Sequence, residues 1–177
     1  ALTVADVGPF SHAFNQLSEG ERVWIRGPLG KGFSLSSKPS LLVGGGYGAA
    51  PLSLLAKHLR LKDVPVAVAL GARSAEALMM VPVFESLGCQ VYLATEDGSA
   101  GEMGLVMCAV NQACSDMDLA VLYACGPTDM LVALGKFARA NSLRAQLSFE
   151  ALIRCGVGLC GSCELPEAIC SKLGIPP

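Results

Sequence analysis

Cys155, Cys160 and Cys163 fall within nine residues in the spacing C-x4-C-x2-C, and Cys170 follows shortly after. Gly156, Gly158, Gly161 and Ser162 are threaded among them. Thiolates wound around one small inorganic object need a chain that turns sharply, and glycine permits turns that a Cβ would block. Glycine also leaves N–H groups bare to hydrogen-bond sulfur and tune a redox centre. The spacing, with one more cysteine beyond it, is the plant-type [2Fe–2S] pattern. Zinc is the first alternative, although its cysteines usually come as two C-x2-C arms far apart. Ordinary buried cysteines, packing as small hydrophobes, are the second. Only six residues separate Cys163 from Cys170, which makes a tight loop.

A second feature that could do chemistry is the glycine turn Gly44, Gly45, Gly46, Gly48, followed by Pro51. It lies between an apolar run at residues 40–43 and a helical pattern at 51–59. Bare N–H groups at a helix N-terminus suit a pyrophosphate. The usual dinucleotide fingerprint also wants an acid at the end of the second strand. That place reads Leu70, Gly71, Ala72, Arg73, so this is a nucleotide site of another kind or only a tight turn. Arg73 could meet phosphate or ribose, or be a solvated turn residue. Asp97 and Ser99 could bind ribose hydroxyls, or form a loop and cap. Cys125 could touch a nicotinamide ring or belong to the core, and Gly126 and Pro127 make a rigid turn beside it. His12 and His58 are the only histidines, and no Ser/His/Asp set or carboxylate pair appears. The chemistry must therefore come from cofactors that the protein holds.

The elements that would position these residues alternate. Strands are expected at residues 40–43, 64–70, 90–95, 119–124 and 144–149. Helices are expected at 51–59, from 75 onward (capped by Ser74, bent or broken at Pro82), at 104–113 and at 128–140. This predicts an α/β fold with a five-stranded, doubly wound parallel sheet. Ligands of such sheets bind beyond the carboxyl ends of the strands. The turns at 44–48, 71–74, 95–99 and 125–127 all fall there and face one crevice. Residues 1–33 read as the tail of a β-rich domain, with strands at 2–7 and 22–26, a helical pattern at 12–17 and a Gly/Pro-rich loop at 27–33. Residues 34–39 read as a linker. The expected domains are 1–33, 34–149 and a cluster segment at 150–177.

Composition narrows the function. Of 177 residues, 52% are hydrophobic and 16% charged, yet no apolar run reaches the roughly 18 residues of a spanning helix. No membrane association is therefore expected, and much surface should be buried in partners. The net charge of −2 and the absence of a basic stripe argue against nucleic acid. Residues 1–6 show no charged n-region and no cleavage site. Eight cysteines in such a chain point to metal or redox chemistry in a reducing cytoplasm.

Taken together, the motifs at 27–33, 43–52, 71–74, 95–99, 125–127 and 150–163 resemble the ferredoxin–NADP reductase superfamily. Within it they are most similar to the electron-transfer subunits of dihydroorotate dehydrogenase B, which are iron–sulfur flavoproteins. The resemblance implies a ferredoxin-reductase-like NAD domain preceded by the C-terminal part of an FAD-binding β-barrel. It implies FAD, NAD and a [2Fe–2S] cluster as cofactors, with Cys155, Cys160, Cys163 and Cys170 as cluster ligands. Thr3, Val4 and Ala5 would line the flavin. Phe10 and Ser11 match a flavin-contacting turn in which Phe10 replaces a glycine. Gly44, Gly45, Gly46, Gly48, Pro51, Arg73, Asp97, Ser99, Cys125, Gly126 and Pro127 would hold NAD. The implied partner is an FMN-containing dihydroorotate dehydrogenase catalytic subunit, in a heterotetramer of two of each, serving pyrimidine biosynthesis. The family's flavin domain opens with further strands and an Arg-x-Tyr-Ser-like motif that this sequence lacks, and its third and fourth cluster ligands stand further apart. Alternatives are a sulfide reductase or hydrogenase diaphorase subunit of the same superfamily, or a zinc-stabilised nucleotide-binding module.

Overall fold

The computed structural model describes residues 2–176; Ala1 and Pro177, the outer ends of the expected flavin and cluster segments, lie outside it. Its sheet is built from β1 (Ser40–Gly45), β2 (Val66–Ala72), β3 (Gln90–Thr95), β4 (Glu102–Met103), β5 (Val121–Cys125) and β6 (Arg144–Ser148). The spatial order is β4-β3-β2-β1-β5-β6, and every pairing is parallel. The expected five strands are present. The sixth, β4, adds two residues at the edge, where Glu102 and Met103 pair with Ala94 and Thr95.

Side chains leave a strand on alternate faces, so a sheet covered on both sides needs near-continuous apolar strands. Leu41, Val43, Ala67, Ala69, Leu122 and Ala124 face one layer, formed by α4 (Met107–Asp116) and α5 (Thr128–Ala140). Leu42, Val66, Val68, Leu70, Val121 and Tyr123 face the other, formed by α2 (Ala49–Arg60) and α3 (Val81–Ser86). The chain winds outward from β1 through β2 and β3 with α2 and α3 on one face. It then crosses back to β5 and β6 with α4 and α5 on the other. The winding reverses between β1 and β5, so α2 and α5 diverge there and open a crevice.

The chain before the sheet differs from the expectation. Residues 2–7 and 22–26 form no strand. The polar–apolar alternation at 22–26 has no neighbouring strand to pair with, and Trp24 is fully exposed. Residues 9–15 form α1 (Pro9–Asn15), starting before the expected helical pattern because Pro9 takes its first position. The linker at 34–39 is tied to the sheet. Ser34 exchanges hydrogen bonds of 2.8 and 2.9 Å with the Gln146 side chain, and its carbonyl accepts the Tyr123 hydroxyl at 2.9 Å. Phe33 meets the Tyr123 ring edge-on at 5.5 Å. The helix expected from Ala75 is a single 3-10 turn (Ala75–Ala77). Met80 then adopts a left-handed conformation and α3 begins, so Pro82 opens a helix rather than bending one. A last helix, α6 (Glu167–Leu173), packs on α5 with Leu173 against Gly135, and Arg139 donates to the Leu173 carbonyl.

Gly48 shows how tightly the switch point is closed. A Cβ there would fall 2.0 Å from the Cys125 carbonyl oxygen and 2.7 Å from the Gly126 nitrogen, both backbone atoms of the opposing strand end. Gly48→Ala should therefore lower stability by about 1–3 kcal/mol, as overpacking does. At about 2–4 °C per kcal/mol for a chain of this size, thermal unfolding should show it.

Candidate functional site: a sheet-end crevice and a cysteine coil

β1 ends in Gly44 and Gly45, and Gly46–Gly48 forms a 3-10 turn that leads directly into α2. The N–H groups of that junction point outward from a helix start, the arrangement that binds phosphate. A cavity of about 980 Å³ lies over it, bounded by the ends of β1, β2, β3 and β5. Of the residues expected to hold a dinucleotide, Gly45, Gly46, Gly48, Arg73, Gly126 and Pro127 line this cavity. Gly44 lies beneath it, where a Cβ would meet Ala49. Pro51 faces a separate cavity of about 750 Å³ on the α2 side.

Asp97 and Ser99 serve the loop itself. The Asp97 carboxylate accepts from the Ser99 N–H at 3.0 Å and hydroxyl at 2.6 Å. These bonds hold Asp97 below the usual carboxylate range, the Ser99 hydroxyl first. The Ser99 Oγ accepts the Ala75 N–H at 2.7 Å, the cap that Ser74 was expected to supply. Together with the Asp97 N–H donating to the Arg73 carbonyl at 3.2 Å, this fastens the end of β2 to the end of β3. Glu76, Glu96, Asp129 and Glu150 also line the cavity. Sequence reading missed them because each acid comes from a different segment of the chain, and only the fold collects them.

Cys125 pairs in register with Ser148 across β5 and β6. Burial pushes its thiol up, the Ser148 hydroxyl partly opposing this and the Glu150 carboxylate reinforcing it. It is therefore a neutral thiol at neutral pH. The flavin-side candidates sit apart from the crevice lining. Thr3, Val4 and Ala5 lie outside any helix or strand, and Phe10 is largely exposed on α1. The Ser11 hydroxyl accepts the Val7 and Gly8 N–H groups at 2.9 and 3.0 Å and donates to the Gly8 carbonyl at 3.0 Å. It builds the start of α1.

After β6 the chain passes Glu150 and enters the cysteine coil, which has no regular structure. Gly156, Gly158 and Gly161 all take left-handed conformations, with φ of +73°, +78° and +68°. Such turns aim successive N–H groups inward as an anion nest. The N–H groups of Val157, Cys160 and Leu159, in that order, hold the Cys155 thiol down at about 6. The Ser162 hydroxyl, 3.3 Å from the Cys160 sulfur, leads the causes that hold Cys160 down as well. The coil thus favours sulfur as thiolate, the form that binds iron. Cys163 lies exposed on the same coil. Among the described residues, no three metal-type ligands yet converge on one point. Cys170 is set apart on α6, 3% exposed, its thiol 3.8 Å from the Leu165 carbonyl. The chemistry of the coil, with thiols held toward thiolate, suits a cluster-binding loop, whereas Cys170 is buried on α6.

No family model matches the chain. Curated relatives do. It is 37% identical to the probable dihydroorotate dehydrogenase B (NAD(+)) electron transfer subunit of Thermococcus kodakarensis, over 98% of this chain and 72% of that protein. The chain belongs to this family. It is 38% identical to the corresponding probable subunit of Methanopyrus kandleri, over 95% of this chain and 64% of that one. With the subunit of Caldanaerobacter subterraneus subsp. tengcongensis, identity is 39% over 84% of this chain and 58% of the relative. The chain thus spans 58–72% of the length of these family members. Among solved structures, an NADH-dependent reduced ferredoxin–NADP oxidoreductase, studied for flavin-based electron bifurcation, is 31% identical with a TM-score of 0.80. That match covers 90% of this chain and 58% of the other. The cytochrome b5 reductase domain of Ulva prolifera nitrate reductase shares the fold, with a TM-score of 0.57 at 19% identity, covering 77% of this chain and 59% of the other. Among the described residues, no helix is long and apolar enough to cross a membrane.

The coil's chemistry is directly testable in metal-free protein. Because Cys155 is held down to about 6, its thiolate fraction, and so its alkylation rate, should rise through that pH and level off above pH 7. Burial pushes Cys89 and Cys114 up, so they should still be gaining reactivity at pH 9. Timed iodoacetamide labelling read by peptide mass spectrometry checks the order.

Proposed function

We propose that the chain carries the dinucleotide and cluster sites of a dihydroorotate dehydrogenase B electron-transfer subunit. In this reading a separate FMN-containing catalytic subunit oxidises dihydroorotate to orotate, releasing two electrons and two protons. The electrons pass through this subunit to NAD+, which leaves as NADH. The observation that carries the reading is continuity. The peptide that lines the crevice at Glu150 enters the coil at Cys155 within a single stretch of chain. The crevice that a dinucleotide would occupy and the thiolate coil therefore adjoin along one stretch of chain.

When bound, a [2Fe–2S] cluster supplies one-electron transfer and FAD couples it to the two-electron chemistry of NAD. The protein's part is binding and orientation. Cys155, Cys160 and Cys163 hold the cluster, the charge on Cys155 stabilised by the coil's N–H groups and that on Cys160 by the Ser162 hydroxyl. The resemblance makes Cys170 the fourth ligand, which requires its buried thiol on α6 and the coil to come together. Gly45, Gly46 and Gly48 present N–H groups to the pyrophosphate. Gly126 and Pro127 bring bare backbone beside the nicotinamide end, with the Cys125 thiol neutral behind them. Residues 1–33, including Thr3, Val4, Ala5, Phe10 and Ser11, serve the flavin side. The assembly is a heterotetramer of two of each subunit, working in the cytoplasm.

Cys160→Ser should abolish the visible absorption of the cluster and reduce dihydroorotate-dependent NAD+ reduction by at least 100-fold in the assembled enzyme. Retained coupled turnover in that variant would sink the proposal. The crevice also makes a choice of nucleotide. Glu76, Glu96, Asp129 and Glu150 line the crevice with Arg73 as its one guanidinium, and carboxylates repel the additional phosphate of NADP. NADH should therefore bind at least tenfold more tightly than NADPH in an equilibrium fluorescence titration. Equal affinity would remove the electrostatic account of selectivity.

A further inference from the structure

The cysteine coil makes few regular hydrogen bonds of its own, so its orientation must be set from outside. Two ties do this, and both come from the segment at 22–33, far away in sequence. Arg26 Nη2 donates to the Cys155 carbonyl at 2.8 Å. Three residues on, Leu29 packs over Gly156, so closely that a Cβ there would lie 2.6 Å from Leu29 Cδ1. The two ties therefore grip consecutive residues of the coil at its first thiolate. The same segment ends at Phe33 and Ser34, which are anchored on Tyr123 of β5 and Gln146 of β6. A strap thus runs from the central sheet to the coil. Among the described residues no carboxylate pairs with Arg26, so its charge is not neutralised at the coil.

We propose that Arg26 is a positioning residue for the cluster site. It fixes the main chain of Cys155 so that the following N–H groups face the sulfur, and it places a cation beside an anionic centre. The inference rests on the iron–sulfur reading of the coil. A positive charge near a cluster favours the reduced, more negative form, and hydrogen bonding to the sulfurs acts in the same direction. Arg26 therefore raises the reduction potential of the site. A planar guanidinium donates along a fixed direction, whereas an ammonium supplies charge with less directional control.

The test is a redox titration of the intact protein, loaded with cluster, followed by visible absorption and electron paramagnetic resonance. Arg26→Gln should keep the parent's melting temperature while its midpoint potential moves negative and its resonance spectrum changes. Arg26→Lys should return the potential toward the parent's value. Leu29→Ala, which loosens the second tie and leaves the charge in place, should alter the resonance spectrum with a smaller shift in potential. A fully loaded Arg26→Gln protein with the parent's potential and spectrum would overturn the proposal. A parent protein that takes up no iron would overturn the cluster reading itself, and the iron assay separates that outcome from the first.

Discussion

The parallel pairing of β1 with β5 places Gly44 opposite Cys125 and brings the glycine turn onto the end of the neighbouring strand. Gly48 sits where any side chain would run into the Cys125 carbonyl, so this closeness depends on a missing Cβ. The consequences spread from there. Because the winding reverses at this pair, α2 and α5 leave on opposite faces and a crevice opens between their starts. Because β6 adds to β5 in parallel, Ser148 ends beside Cys125 and the chain emerges at the crevice. The cysteine coil is then a continuation of the crevice wall.

Two kinds of electrostatics meet at that wall. The crevice collects four carboxylates from separate segments of the chain, with one guanidinium among its lining. The coil collects backbone N–H groups around sulfur and holds Cys155 as thiolate. Neither uses a buried charge. In the coil, three left-handed glycines do the work that side-chain cations do elsewhere. The N-terminal segment closes the arrangement by holding both the sheet, through Ser34, and the coil, through Arg26.

Much of this was legible in the sequence, for reasons that also explain the gaps. The central strands announce themselves because a sheet covered on both faces has little room for polar residues. The glycine turn and the C-x4-C-x2-C spacing are local, and local geometry is what spacing encodes. The edge strand β4 has no pattern to read, being two exposed residues paired on one side. Residues 22–26 carry the alternation of a strand without a partner, and pairing is a tertiary property. Ser99, readable as a ribose ligand or as a loop cap, accepts the Ala75 N–H, a contact between two loops that spacing does not encode. Cys170 followed the coil in sequence, but the packing of α6 on α5 decides where its sulfur lies.

The central claim is that a nicotinamide dinucleotide and an iron–sulfur cluster communicate through this subunit. The most direct measurement is an anaerobic titration of the purified, FAD-loaded protein with NADH, without its catalytic partner, followed by visible absorption and assays of iron and acid-labile sulfide. The account predicts two iron and two sulfide per chain and bleaching of the cluster bands as NADH is added. A protein that contains zinc in place of iron, or whose cluster bands are unmoved while its flavin is reduced, would contradict it.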